Sequence, residues 1–167
     1  MTAASGGVFV SVGSMMPFDR LVRTMDEWAA ANPDIPVEIQ IGRGKYEPIH
    51  AKFVRLMPVG EYRQKVDAAR LFVAHAGMGS IIAAIEAGKP LLMLPRLHSQ
   101  GEHNNDHQLA TAATIGKRPG LHVASDAADL QARVSALLAD SGAPPAPISQ
   151  FAETGFTDRI RAFIEAP

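Results

Sequence analysis

Apolar positions along this chain fall into short dense runs that alternate with longer stretches of helical spacing. Val8 to Val12 (VFVSV) is a β-branched run closed by Gly13-Ser14, and Phe18, Leu21, Val22, Met25 and Trp28 then recur at three and four residues. That predicts strand, tight loop, helix. Asn32-Pro33 and Ile35-Pro36 stop the helix, because the residue before a proline is pushed out of helical geometry. Val37 to Ile41 (VEIQI) predicts a second strand, broken by Gly42-Arg43-Gly44. A weaker extended piece at Phe53 to Leu56 precedes a helix from about Glu61 to Ala69. Leu71 to Ala74 and Leu91 to Leu94 are apolar at every position, as strands covered on both faces must be. Between and after them the pattern predicts helices over Ser80 to Ala87, Glu102 to Ile115 and Asp129 to Leu138, with a last strand at Leu121 to Val123. Strands alternating with helices in this way predict an α/β fold: a doubly wound, Rossmann-like parallel sheet.

Residues 1–140 are expected to form that domain. Residues 141–147 (SGAPPAP) read as a proline-rich linker, and residues 148–167, with Phe151, Phe156, Ile160, Phe163 and Ile164, read as a terminal helix that packs on its own domain or reaches a partner. The chain has 167 residues, 47% of them hydrophobic, enough for a sizeable core. Sixteen Lys and Arg against seventeen Asp and Glu leave a net charge of -1, which gathers no polyanion, so nucleic acid is not expected as a partner. With no cysteine there is neither a disulfide framework nor a thiolate metal site. No apolar run approaches the roughly 18 residues that cross a bilayer, and Met1 to Gly7 does not read as a signal peptide, so a cytoplasmic location is expected.

Ligands of doubly wound sheets bind beyond the carboxyl ends of the strands. The loop His75-Ala76-Gly77-Met78-Gly79-Ser80 places two glycines and a serine between a buried strand and a helix start, where free N–H groups favour an anion such as diphosphate. The same residues would equally serve a tight turn with Ser80 as the helix cap. No GxxxxGK[ST] is present, and Ile82 stands where a dinucleotide fingerprint needs its third glycine, so a dinucleotide oxidoreductase is disfavoured. In the run from Arg96 to Gln108 (RLHSQGEHNNDHQ) Leu97 is the one apolar side chain. His103 and His107 lie four apart, but the spacing matches no established zinc motif and no second ligand cluster completes it, so no metal is expected. The convergent donors and acceptors suit a hydroxyl-rich ligand better.

Taken together, VFVSVGSMMPFDRLV, VEIQIGRG, HAGMGSIIAAIEAGKPLLMLPR and GEHNNDHQLATA resemble the carboxyl-terminal, donor-nucleotide half of family 28 glycosyltransferases, one half of a GT-B fold, over nearly the whole chain. Within the family the chain is most similar to stand-alone donor subunits of two-component enzymes. These include the eukaryotic N-acetylglucosaminyltransferase that extends dolichol-linked N-acetylglucosamine and, more closely, bacterial exopolysaccharide glucuronosyltransferases acting on a polyprenyl-diphosphate sugar.

The resemblance implies a UDP-sugar as donor substrate with no further cofactor, glucuronate favoured and N-acetylglucosamine second. It implies a membrane-anchored, acceptor-binding partner subunit that carries the catalytic base, a lipid-linked sugar acceptor, and a place at the inner face of the membrane through that partner. The absence of any Asp-x-Asp sequence agrees with metal-independent transfer. A module that binds a nucleotide sugar without catalysis is the alternative.

By position, His75, Gly79 and Ser80, with Gly77 and Met78 between them, stand at the diphosphate contacts, and Gly13-Ser14 stands where the first loop approaches the donor. Val59 falls near the uracil-reading segment, and Glu102-His103 matches the pair that holds sugar hydroxyls. Ala83 replaces the ribose-binding glutamate, with Glu86 one turn later. Arg96 would offer the carboxylate of a uronate a bidentate contact.

Overall fold

The computed structural model describes residues 6–140, 144 and 154–166. Six strands and their helices follow in the order β1 (Val8–Ser11), α1 (Asp19–Ala31), β2 (Val37–Gln40), β3 (Lys52–Val54), α2 (Val59–Ala68), β4 (Leu71–His75), α3 (Met78–Ala87), β5 (Leu91–Leu94), α4 (His107–Ile115), β6 (Leu121–Val123) and α5 (Ala127–Ala139). A 3-10 turn, His98–Gln100, lies between β5 and α4. The sheet is wholly parallel with order β3-β2-β1-β4-β5-β6. Chain direction across the sheet reverses between β1 and β4, so the loops leaving these two neighbours diverge to opposite faces and leave a crevice at their carboxyl ends.

The consecutive apolar residues of each strand are explained by the two cores. Val8, Val10, Val73, Leu92 and Leu94 face Leu21, Val22, Met25, Leu130 and Val134 of α1 and α5. Their sequence neighbours Phe9, Phe72, Ala74, Leu91 and Met93 face Val66, Ile81, Ala84, Ile85 and Ala112 of α2, α3 and α4. Register keeps the two sets apart: Val10 lies beside Ile39 on one side and Val73 on the other, and Val73 beside Leu92. On the second face Phe9 stacks on Phe72 at 5.7 Å, with Tyr62 edge-on to both.

Three differences from the expected elements have local causes. β3 begins at Lys52 and ends at Val54, as an exposed edge strand. α2 starts two residues early, at Val59 after Pro58, a residue suited to the first positions of a helix. The helix expected from Glu102 starts only at His107. Side chains of the preceding segment take the backbone N–H groups instead: Glu102 accepts from Leu97, Asp106 from His98 and Asn105 from His107. Of the expected linker 141–147 only Pro144 is described, and Phe151 also lies outside the described residues. Thr154–Glu165 forms a further helix, α6, with no buried residue; Phe156, Ile160, Phe163 and Ile164 are all exposed.

One carboxylate holds the long β2–β3 connection. Asp26 of α1 is 1% exposed and accepts from the backbone N–H groups of Ile49, His50 and Ala51 and from the Tyr46 hydroxyl, at 2.7 to 2.9 Å. Burial alone raises its pKa, but these four donors outweigh burial and hold the group below its ordinary value. Asp26→Asn turns an amide N–H₂ toward donors, so a loss of about 2–4 kcal/mol is expected in urea unfolding at pH 7. The native pKa is depressed, so this contribution is complete above the unfolded value of about 3.9 and fades as pH falls through the native one. The gap between wild type and variant should therefore persist to about pH 4 and narrow below it.

Candidate functional site

Three loops meet at the crevice: Val12–Met16 after β1, Ala76-Gly77 after β4, and Pro95–Asp106 after β5. Helix α3 opens on the crevice with Gly77 as its N-cap and no side chain capping it. Ser80 and Ile81 donate to the Gly77 carbonyl, whereas the N–H groups of Met78 and Gly79 have no partner among the described residues. Ser80, expected as the cap, is instead inside the first turn and 3% exposed, because Gly77 occupies the cap position. An uncapped helix start with free N–H groups is an anion site in waiting.

The His75 ring stands beside that helix start, between two glycines. A Cβ on Gly13, whose φ is +78°, would lie 2.6 Å from His75 Nε2, and a Cβ on Gly77 would lie 2.0 Å from Cε1. Only glycine permits the ring at either position. A Cβ on Gly79 meets nothing within 4 Å, so this residue keeps open space at the helix start. Burial, the Arg96 charge and His103 together push the His75 pKa down to about 3, so the ring is neutral at pH 7.

Arg96 joins the loops. It is 3% exposed; its Nη2 donates to the carbonyls of Val12 at 2.7 Å and Met16 at 2.6 Å, and its Nη1 lies 3.1 Å from His75 Nδ1. The guanidinium also lies 4.9 Å from the centroid of the buried Phe18 ring. Burial lowers its pKa to about 10, opposed by Glu102, so the charge is retained. Sequence reading puts Arg96 in bidentate contact with a uronate; here Nη2 donates to two backbone carbonyls and the side chain is buried. Its Nε is buried without a partner among the described residues.

Glu102 is likewise turned inward. Its two oxygens accept from Arg20 Nε and Nη2 at 2.7 Å each and from the Leu97 N–H at 2.9 Å, while Arg20 also donates to the Pro95 carbonyl. With its side chain 10% exposed, Glu102 fastens the loop after β5 to α1, its carboxylate turned toward Arg20 and the Leu97 N–H. His103, beside it, faces the His107 ring at 4.4 Å, and its Nδ1 is buried without a partner among the described residues. Burial, then His107 and Arg96, lower its pKa. Among the described residues no group of three or more His, Asp or Glu is arranged to hold a metal.

The remaining expected residues lie outside this cluster of contacts. Ser14 is exposed in the first loop, Met78 opens α3, and Val59 opens α2 and is 70% exposed. Ala83 and Glu86 line a small cleft between α2 and α3, with Glu86 exposed near the far end of α3. Arg20, Phe18 and Gln108 were not expected. Arg20 meets a partner 82 positions away in sequence, which no local pattern reveals; Gln108 lies in the polar run, but nothing in its spacing marks it as buried.

This architecture is an α/β fold matching the carboxyl-terminal half of GT-B glycosyltransferases, and solved structures share it. The chain superposes on UDP-glucose: anthocyanidin 3-O-glucosyltransferase in complex with UDP with a TM-score of 0.60 and 14% identity, covering 97% of this chain and 35% of that one. The glycotransferase of kitacinnamycin gives 0.59 and 24%, over 84% and 36%. ALG13 gives 0.58 and 18%, over 93% of this chain and 94% of that one. The model of the glycosyltransferase family 28 C-terminal domain matches residues 7–162, and the chain belongs to that family. Over 108 residues it is 35% identical to UDP-glucuronosyltransferase 3A1 of Bos taurus, an alignment taking 59% of this chain and 20% of the relative. The chain thus spans far less than the full length of that relative.

Gly77→Ala should displace the His75 ring and cost about 1–3 kcal/mol in thermal or urea unfolding, whereas Gly79→Ala, with open space and a helical position, should leave stability unchanged or raise it by up to about 1 kcal/mol.

Proposed function

We propose that the crevice binds the diphosphate of a UDP-sugar and that the chain is the donor-binding component of a glycosyltransferase completed by an acceptor-binding partner. The observation that carries this reading is the convergence of the uncapped α3 start with His75 Nε2 at the carboxyl ends of β1 and β4. Two free N–H groups, the helix dipole and an imidazole N–H suit an anion that gains charge as its bond to the sugar breaks. Membership of family 28, and UDP in the names of a relative and a structural neighbour, support the nucleotide.

In the proposed reaction an acceptor hydroxyl attacks the anomeric carbon and the bond to UDP breaks. The departing diphosphate is met by Met78 N–H, Gly79 N–H and His75, with Ser80 beside them and Gly13-Ser14 closing the other side. The acceptor proton passes to a base on the partner. Val59, exposed at the start of α2, is assigned to uracil, and His103 with the Asn104-Asn105 amides takes the sugar hydroxyls in place of the inward-turned Glu102.

Glucuronate is the favoured sugar on the name of the bovine relative, with N-acetylglucosamine second; the acceptor is a polyprenyl-diphosphate-linked sugar. A partner is supported by two features. The chain and ALG13 cover each other almost end to end, whereas other glycosyltransferases are covered by about a third. The apolar side of α6 is unburied, as a surface meant for another chain would be. No helix of the described residues is long and apolar enough to cross a membrane; in this reading the partner holds the chain at the inner membrane face.

Calorimetric titration with UDP, UDP-glucuronate and UDP-N-acetylglucosamine, with and without magnesium, tests the reading. Metal-independent binding is expected, tightest for UDP-glucuronate. His75→Ala should weaken UDP by about 10- to 100-fold, the worth of a hydrogen bond to a charged group. Gly79→Ala should weaken it too, because a helical Cβ tilts toward the N-terminus, where the anion would sit. Undiminished UDP binding in both variants would rule out this diphosphate site, and binding without transfer by the purified two-component complex would favour a non-catalytic module.

A further inference from the structure

The hydrogen bonds around His75 fix which of its nitrogens carries the proton. Nδ1 lies 3.1 Å from Arg96 Nη1 and 3.2 Å from Gln108 Nε2. A guanidinium nitrogen can only donate. The Gln108 amide is oriented by its other end, since Oε1 accepts the backbone N–H of Arg96 at 3.1 Å, and its N–H₂ therefore faces the imidazole. Gln108 is 2% exposed and Arg96 3%, so neither pair exchanges readily with water. Nδ1 meets two donors and no acceptor, and it must keep its lone pair. The proton belongs on Nε2, which has no partner among the described residues and stands against Gly13. Glycines on both sides of the ring leave little room for it to turn over.

We infer that Arg96 is a positioning residue for donor binding: through Nη1, with Gln108 beside it, it holds His75 neutral with its single N–H at Nε2, and through Nη2 it holds the Val12–Met16 loop against that ring. The inference rests on the donor-site reading for its functional half and on geometry alone for the ring. Arg96 thereby acts on the ligand at second hand, by pointing a donor and closing a loop. The groups that bear on the His75 charge are the Arg96 guanidinium, the Gln108 amide and His103, with Glu102 acting on Arg96 in turn. Gly13 and Gly77 contribute no charge. Removing the guanidinium removes one of the two donors on Nδ1 and the positive charge that opposes an imidazolium, so a second proton on His75 is opposed less, with Gln108 as the remaining donor.

Long-range proton–nitrogen correlation spectra of the histidines, recorded without nucleotide from about pH 4.5 to 8, test the ring. In the wild type His75 should show the neutral Nε2–H form throughout. In Arg96→Gln its pKa should rise by at least about two units, into the recorded range, and UDP affinity at pH 7.5 should fall at least tenfold. The affinity of this variant for a UDP-sugar, measured relative to wild type at each pH, should recover as pH falls through the new His75 pKa, a profile that general loosening of the loops would not produce. Gln108→Glu leaves the Arg96 fork in place and sets a carboxylate against Nδ1, so His75 should again titrate at higher pH; this variant carries the test if Arg96→Gln fails to fold. An Nδ1–H form in the wild type, or His75 titrations unchanged in the folded variants, would overturn the inference. The expected ring behaviour in a wild-type protein that binds no uridine nucleotide would confirm the ring lock and overturn the donor assignment.

Discussion

A buried guanidinium holds the functional end of this sheet together. Taking an arginine out of water costs several kcal/mol unless its hydrogens and charge find partners. Arg96 finds them on two chain segments that are far apart in sequence: the Val12 and Met16 carbonyls with the face of Phe18 on one, and His75 on the other. The first segment is the loop leaving β1 up to the N-cap of α1, and the second is the last residue of β4. The loops leaving these strands diverge at the crossover between β1 and β4, where the sheet itself offers them no mutual contact. The charge therefore supplies the contact that the topology withholds, and the crevice has a defined shape because of it.

Helix α1 does similar work for the segments farther out. Its apolar side fills the core against α5, and its polar residues collect backbone. Asp19 accepts the Lys45 N–H, Arg20 takes Glu102 and the Pro95 carbonyl, and Asp26 takes three successive N–H groups of the β2–β3 connection. Irregular backbone without a ladder must satisfy its polar groups with side chains or water. Here charged side chains on one rigid helix do so, which explains how long connections stay ordered beside a six-stranded sheet.

The strands and helices were legible because burial on both faces demands apolar residues at consecutive positions, and Phe9, Val10, Phe72 and Val73 meet that demand in plain sequence. The glycines flanking His75 were legible as a tight loop, though not as the two sides of an imidazole slot. What sequence reading missed was direction. Glu102 and Arg96 are residue types that bind sugars and carboxylates, and both turn inward, because Arg20 and the Val12 and Met16 carbonyls reach them from 80 to 84 positions away. The helix start at His107 was missed for a related reason: Asn105 and Asp106 bond nearby backbone in a non-helical arrangement, which helical spacing alone does not register.

These inward turns alter how donor selectivity is to be explained. A carboxylate already accepting from Arg20 and Leu97 has less to offer a sugar hydroxyl, and a guanidinium already donating to two carbonyls has less to offer a uronate. At the same loop the polar groups left exposed are the amides of Asn104 and Asn105, whereas the His103 Nδ1 is buried without a partner among the described residues. Asn105 is already engaged by His107, so Asn104 is the less committed of the two. In the proposed donor site such neutral groups would read hydroxyls by direction and spacing, while Arg96 and Glu102 behind them keep the loops in place. Charge at this end of the sheet serves shape: both ions spend their hydrogen bonds on the chain itself.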